Sequence, residues 1–460
     1  MIVFAADNVI HPFYMLKRKI DNILIDWKNR PDRKPLIVRG ARQVGKTMSI
    51  QNFAQQQYAH VVEINFALQS QYKKIFDDGY EVDSITKNIT LINPNHIFVP
   101  GETLIFFDEL QACPDCATSL KSFKTDGRYD VICSGSLMGV YYQQIESNSV
   151  GFKEDFTMHS MDFEEFLWAC GFDETLTDDM FDHMLEVRPL SSLMMEQMTE
   201  LFRNYMVLGG MPEVVNTYVT QHNFSGTLSL QRQLLLDYEE DITKYAIGIE
   251  KAKVLAVYRH ISTFLGKENK RFQITKLTPS ARNRAYIGAI EWLDNAGIIN
   301  VCYCMHELAL PLKGNYDPKL YKVYYRDTGL LIASLDEEAQ EDLRNNKNFA
   351  TYKGAIYENI VADMLAKQGY NLYYYRDEKS SLVMDFFVRS ANHLWPIEVK
   401  ASNTTSASLK RLCDPNTIAM HPDIKWGIKL CAANIGFNGR FYTFPYFMTF
   451  LLKRWLREQE

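Results

Sequence analysis

Apolar residues recur at helical spacing at Leu16, Ile20, Ile23, Leu24 and Trp27, which predicts a helix within residues 11–30. A polar turn, Pro31 to Pro35, then leads into the short apolar run 36–39, read as a first strand. Val61–Phe66 reads as a second strand. Leu104–Phe107 is a continuous apolar run closed by Asp108 and Glu109, the pattern of a buried parallel strand. Tyr129–Ser136 follows as another strand, and this core runs to about Ser136. From there the period changes. Asp162–Trp168 starts an amphipathic helix, a Gly-Gly-x-Pro turn breaks a helical region at 209–212, and Asp237–Tyr245 carries an acidic-aromatic helix. These segments predict a helical lid beside the sheet.

Beyond residue 250 a helix marked by Val254, Val257, Ile261, Phe264 and Leu265 precedes a basic stretch of Lys267, Lys270, Arg271, Lys276, Arg282 and Arg284, opposed only by Glu268. A helix over 285–295 ends at Gly297, and 298–303 reads as a strand. Helix, turn, helix, strand is the outline of a winged helix, with the basic cluster where a DNA-contacting helix would lie. A solvated basic face on a purely structural winged helix accounts for the cluster equally well. In the last 120 residues, 353–361 reads as a helix with Glu358 on its apolar side, and 383–388 as a strand with Asp385 inward. Residues 395–400 form a further strand, whose Glu398 and Lys400, two apart, project from one face.

Composition narrows the picture. A chain of 460 residues exceeds a single core and predicts roughly two to four domains. The pattern divides it into an N-terminal helix (1–30), a sheet with its lid (31–249), a winged helix (250–335) and a C-terminal α/β unit (336–460). Hydrophobic content of 47% supports filled interiors, and a net charge of −6 argues against a broadly basic nucleic-acid coat. The eight cysteines are scattered, several in apolar runs, as expected of reduced core thiols in a cytoplasmic protein. Cys113 and Cys116 form a C-x-x-C with no second pair to complete a zinc site, and are read as structural. No apolar run approaches a membrane span, so no membrane partner is expected.

Candidate chemistry begins at Gly40, Ala41, Arg42, Gln43, Val44, Gly45, Lys46 and Thr47, which match G-x-x-x-x-G-K-[ST]. A strand before this loop and a helix after it make it a phosphate-binding loop and point to a nucleoside triphosphate, ATP, as ligand. Its backbone N–H groups would cradle phosphate oxygens, Lys46 would place a point charge near the β- and γ-phosphates, and the Thr47 hydroxyl would sit on Mg²⁺. Asp108 is the expected Mg²⁺ carboxylate and Glu109 the group that orients and deprotonates attacking water. Ser134 or Ser136 is placed to sense the γ-phosphate; a plain strand end with a Ser-Gly turn explains them nearly as well. The C-terminal acids form a second set. Asp385 and Glu398 would hold a second divalent metal, with Glu358 from the helix, and Lys400 would stabilise an attacking hydroxide or the pentavalent phosphate.

Together these segments resemble the prokaryotic AAA-type ATPases that join a P-loop module to a C-terminal PD-(D/E)XK nuclease-like domain. The resemblance rests on the 40–47 loop, Phe107–Gln111, Ser134–Ser136, Phe163–Leu167, Leu208–Pro212, Arg326–Leu330 and the set Glu358, Asp385, Glu398 and Lys400. It implies an α/β fold: a P-loop NTPase parallel sheet with helical lid, a winged helix, and a restriction-endonuclease-like α/β domain. It implies ATP binding and hydrolysis; DNA as a partner and a homo-oligomer are further expectations, drawn from the winged-helix and nuclease-like readings. It names no physiological substrate. A nucleotide-switch ATPase whose C-terminal domain binds DNA or protein without cleavage remains the alternative.

Overall fold

The computed structural model describes residues 16–135, 149–246, 249–265, 286–335, 338–345, 351–377, 382–400 and 406–460. Ser136 and the basic segment 267–284 lie outside the described residues.

The N-terminal sheet consists of β1 (Leu36–Arg39), β2 (His60–Asn65), β3 (Thr103–Asp108), β4 (Asp130–Gly135) and β5 (Glu154–Thr157), all parallel, in the order β2-β3-β4-β1-β5. Both faces are covered, which is why its central strands read as unbroken apolar runs. Leu36, Val38, Leu104 and Phe106 face the helices Lys19–Asn29 and Lys46–Gln57. Ile37, Ile105 and Phe107 face Val82–Ile92 and Pro114–Asp126 on the other side. All six residues of β3 are buried. At about 1.5–3 kcal/mol per buried large apolar side chain, the pairs on this strand alone contribute a major part of the local stability. β5 has no apolar run to announce it: Glu154, Asp155 and Thr157 are polar, and among the described residues it pairs with β1 alone.

Five helices follow among the described residues: Phe163–Ala169, Glu174–Leu185, Ser192–Leu208, Pro212–Gln221 and Thr227–Tyr245. The predicted break at 209–212 is present, with Gly209 at φ +71° and Pro212 opening the next helix. This turn is filled by chain from elsewhere. A Cβ on Gly210 would lie 1.9 Å from the Met161 carbonyl oxygen, and one on Gly329 would lie 2.3 Å from that of Leu208. Asp327 ties the junction, its Oδ2 accepting from Ser160 Oγ and from the Gly210 amide, each at 2.8 Å.

The helices Ile249–Leu265 and Ile287–Asn295 come next, and then β6 (Ile299–Met305) and β7 (Tyr316–Tyr325). The expected wing is not a free hairpin. β6 pairs in parallel with β8 (Leu372–Asp377), and the sheet continues through β9 (Leu382–Arg389), β10 (Leu394–Val399), β11 (Gly427–Cys431), β12 (Gly436–Phe437) and β13 (Phe441–Pro445). Its order is β12-β13-β11-β10-β9-β8-β6-β7. One sheet therefore spans the sequence-drawn division at 335/336. The reason is burial: six of the seven β6 residues are buried, too many for a strand with one face in solvent. The helix Thr351–Lys367 packs across β6, β7, β8 and β10.

Candidate functional site

The loop between β1 and the helix Lys46–Gln57 has the backbone that a phosphate cradle needs. Gly45 sits at φ +96° and Gln43 at φ +61°. Gly40 is required for a different reason, since a Cβ there would come within 2.2 Å of the Met158 carbonyl oxygen. Lys46 is buried, and its ammonium donates to the carbonyls of Gly40 at 3.1 Å and Ala41 at 2.7 Å. Burial lowers its pKa to about 8, against the pull of Glu109 and Asp108.

Because β4 lies between β1 and β3, the loop and the end of β3 face each other across one strand. Thr47 Oγ1 is 3.3–3.4 Å from both Asp108 carboxylate oxygens. Asp108 is buried and accepts from Asn65 Nδ2 at 3.0 Å, from the Glu109 amide at 3.0 Å and from Ser134 Oγ. Ser134 thus orients the acid, where the sequence suggested a phosphate sensor. Asn65 went unnoticed in the sequence; its signal is its place at the end of the neighbouring strand, in register with Asp108. Glu109 is half-buried at φ +57° and accepts from Gln111 Nε2. Burial first, and the Asp108 charge second, raise its pKa from the ordinary glutamate value. Two side-chain oxygens, Thr47 and Asp108, this close together suit a hard cation such as Mg²⁺.

Contacts from outside the motif hold the loop. Arg18, buried at the start of the first helix, donates to the Val44 carbonyl at 2.8 Å, the His159 carbonyl at 2.9 Å and Glu165 Oε1 at 3.1 Å. This gives the Phe163–Leu167 segment a purpose that its sequence does not show. At the loop tip, Arg42 pairs with Asp241 at 2.5 Å and Gln43 donates to Asp237 at 2.8 Å, both on the helix Thr227–Tyr245.

The C-terminal set also comes together, with an unforeseen member. Glu398 on β10 is buried, and Lys400 pairs with its Oε1 at 2.8 Å, as their shared face predicts. Asp385 Oδ2 accepts from the Val399 amide at 2.9 Å, which sets it beside Glu398. Glu398 Oε2 is buried with no hydrogen-bond partner among the described residues. That orphaned oxygen next to Asp385 fits a divalent cation held by two carboxylates. Among the described residues, no group of three or more His, Cys, Asp or Glu forms a metal-ligand cluster. Glu358 is accounted for otherwise. Its Oε1 accepts from Lys322 Nζ at 2.7 Å and from the Tyr324 hydroxyl, both from β7. Burial opposes the Lys322 charge, yet Glu358 and Asp385 together raise its pKa. The missed signal for Lys322 is a lone charge inside the otherwise apolar run 321–325.

The comparisons with known proteins bear on these two sites unequally. A family model described as an AAA domain matches residues 32–167. This segment is similar to AAA domains. It carries the P-loop, the acid strand and the parallel sheet. Two models described as domains of unknown function, DUF8612 and DUF4143, match residues 199–341 and 353–446. No curated protein matches the chain. Solved structures include the Walker-type ATPase of Pyrococcus abyssi, at 14% identity and TM-score 0.41, covering 70% of this chain and 96% of that one. The Aeropyrum pernix ORC1 protein in complex with DNA follows at 12% and 0.26, covering 72% and 91%. Drosophila ORC bound to DNA follows at 13% and 0.25, covering 61% and 86%. At TM-scores below 0.5 these likenesses carry no argument. Among the described residues, no helix is long and apolar enough to cross a membrane.

Proposed function

We propose that the chain binds ATP with Mg²⁺ at the 40–47 loop and hydrolyses it, and that its C-terminal site is a PD-(D/E)XK-type centre through which the protein acts on, or answers to, nucleic acid. The observation that carries the first part is the meeting of Lys46, Thr47, Asp108 and Glu109 at one edge of the parallel sheet. Thr47 and Asp108 would hold Mg²⁺, which when bound neutralises phosphate charge. Lys46 needs only to leave two neutral carbonyls to meet the β- and γ-phosphates. Glu109, at the end of β3 beside Asp108, is placed to take a proton from attacking water, and burial makes it a stronger base than an exposed carboxylate. Phosphate release from ATP in Mg²⁺ is therefore expected in wild type and reduced by about 10²–10⁴-fold in Glu109→Gln, with nucleotide binding kept. Turnover surviving in Glu109→Gln would sink this assignment.

The second part rests on the orphaned Glu398 Oε2 beside Asp385. Asp385 and Glu398 would hold the cation on a restriction-endonuclease-like α/β unit, and Lys400 would face the phosphodiester. Residues 250–335, read as a winged helix, would bring the basic segment 267–284 to DNA. The free thiols suit a cytoplasmic setting. A second reading, a nucleotide switch whose C-terminal unit binds DNA or protein without cutting, draws on Lys400 and Glu358 already being ion-paired. Incubating DNA with Mg²⁺ or Mn²⁺, with and without ATP, separates the two. Cleavage lost in Asp385→Ala supports the nuclease; retention of DNA without cleavage supports the switch.

A further inference from the structure

We propose that Lys322 is a resident cation of the C-terminal site, so that this site takes one divalent ion, on Asp385 and Glu398, and Glu358 is a counter-ion with no part in metal ligation. The inference rests on the metal-site reading above and adds to it the number of ions and the role of each acid.

Lys322 projects from β7, its side chain 7% exposed, and meets Glu358 Oε1 at 2.7 Å. Its ammonium also lies 4.8 Å from the centre of the Tyr374 ring on β8, a cation–π contact on a second side. The Tyr324 hydroxyl donates to the same Glu358 oxygen, so the carboxylate is engaged by both residues of β7. A metal ion on that oxygen would displace two donors, and one on the other Glu358 oxygen would still set a dication against the buried Lys322 ammonium across the same carboxylate. Breaking one side of a buried ion pair is strongly unfavourable because the other charge stays uncompensated. Charge balance agrees. Glu358, Asp385 and Glu398 face Lys322 and Lys400, and the buried Lys429 stands in register with Glu398 on β11, so the three carboxylates carry no surplus charge for a second dication. The orphaned oxygen belongs to Glu398, which places the ion on the β9–β10 side of the cluster, away from β7.

The test counts Mn²⁺ bound per full-length chain, without nucleotide, from the electron paramagnetic resonance signal of the free ion. An Asp108→Asn background removes binding at the P-loop site. One ion per chain is expected, lost in Asp385→Asn. The double variant Lys322→Met/Glu358→Gln, which removes the pair together, should still bind one. Lys322→Met alone, if thermal unfolding shows it folded, should bind a second ion on the released Glu358. Two ions without any change at 322, or none in the double variant, would overturn the inference alone. No ion in the Asp108→Asn background, equal to Asp385→Asn, would instead overturn the metal reading on which it rests.

Discussion

Two lysines, each buried beside carboxylates at the end of a sheet, are held in opposite ways. Lys46 donates to two backbone carbonyls, neutral acceptors that ask little when the lysine turns to a phosphate. Lys322 donates to a buried carboxylate, a charge-assisted bond roughly twice as strong, and has an aromatic face on another side. The contrast teaches that burial alone does not fix the role of a lysine. What it is bonded to decides whether it is available to a ligand or is part of the frame. The first sheet therefore presents a cation in waiting. The second presents a cation already spent.

The largest effect that would sharpen this contrast is on stability. Glu358→Ala leaves the Lys322 ammonium buried and alone, and should lower unfolding free energy by about 3–5 kcal/mol in urea titration. Lys322→Met/Glu358→Gln should cost well under half of that. Equal losses in the two variants would mean that the pairing is not what holds the site. Next comes nucleotide affinity. Lys46→Ala removes a charged donor worth about 1.5–3 kcal/mol, so a fluorescent ATP analogue should bind roughly 10- to 100-fold more weakly. Unchanged affinity would place the ligand elsewhere.

The smallest effect is a pH dependence. Lys46 in the empty loop has a pKa of about 8, lowered by burial, and bound phosphates would raise it again. Binding then takes up a proton, and affinity should fall about tenfold between pH 7 and 9. The same lowered pKa gives the empty protein the opposite trend. Between about 8 and the ordinary lysine range the unfolded chain holds more protons, so stability rises with pH there. Lys322, its pKa raised, stays charged across this window. A flat affinity profile from pH 7 to 9 would contradict the reading of Lys46 as poised.

Much of the first site was legible because its information is local. The 40–47 loop needs Gly45 for a positive φ, a requirement written in contiguous residues, whereas the close approach that demands Gly40 comes from Met158, far along the chain. The β3 run announces its own burial and delivers Asp108 and Glu109 to the sheet edge. The partners of these residues were not legible. Ser134 was read toward phosphate and turns to Asp108, and Arg18 reaches Val44 and Glu165 across 26 and 147 positions. β5 escaped because an edge strand of four mostly polar residues has no period to detect. β6 was read as a strand but placed in the wrong company, since periodicity does not say which sheet a strand joins, and β7 was not read as a strand at all.

Taken alone, the sequence determined where the phosphate-binding-loop pattern lies, which acids stand at strand ends, and that Glu398 and Lys400 share a face. These follow from backbone geometry and a two-residue repeat, which act over a few positions. Only the tertiary structure decided which charge meets which. Lys322 and Glu358 are 36 positions apart and meet because β7 and the helix Thr351–Lys367 pack against each other. Low dielectric then makes that meeting decisive, for a buried charge must find a partner, and the fold supplies the choice.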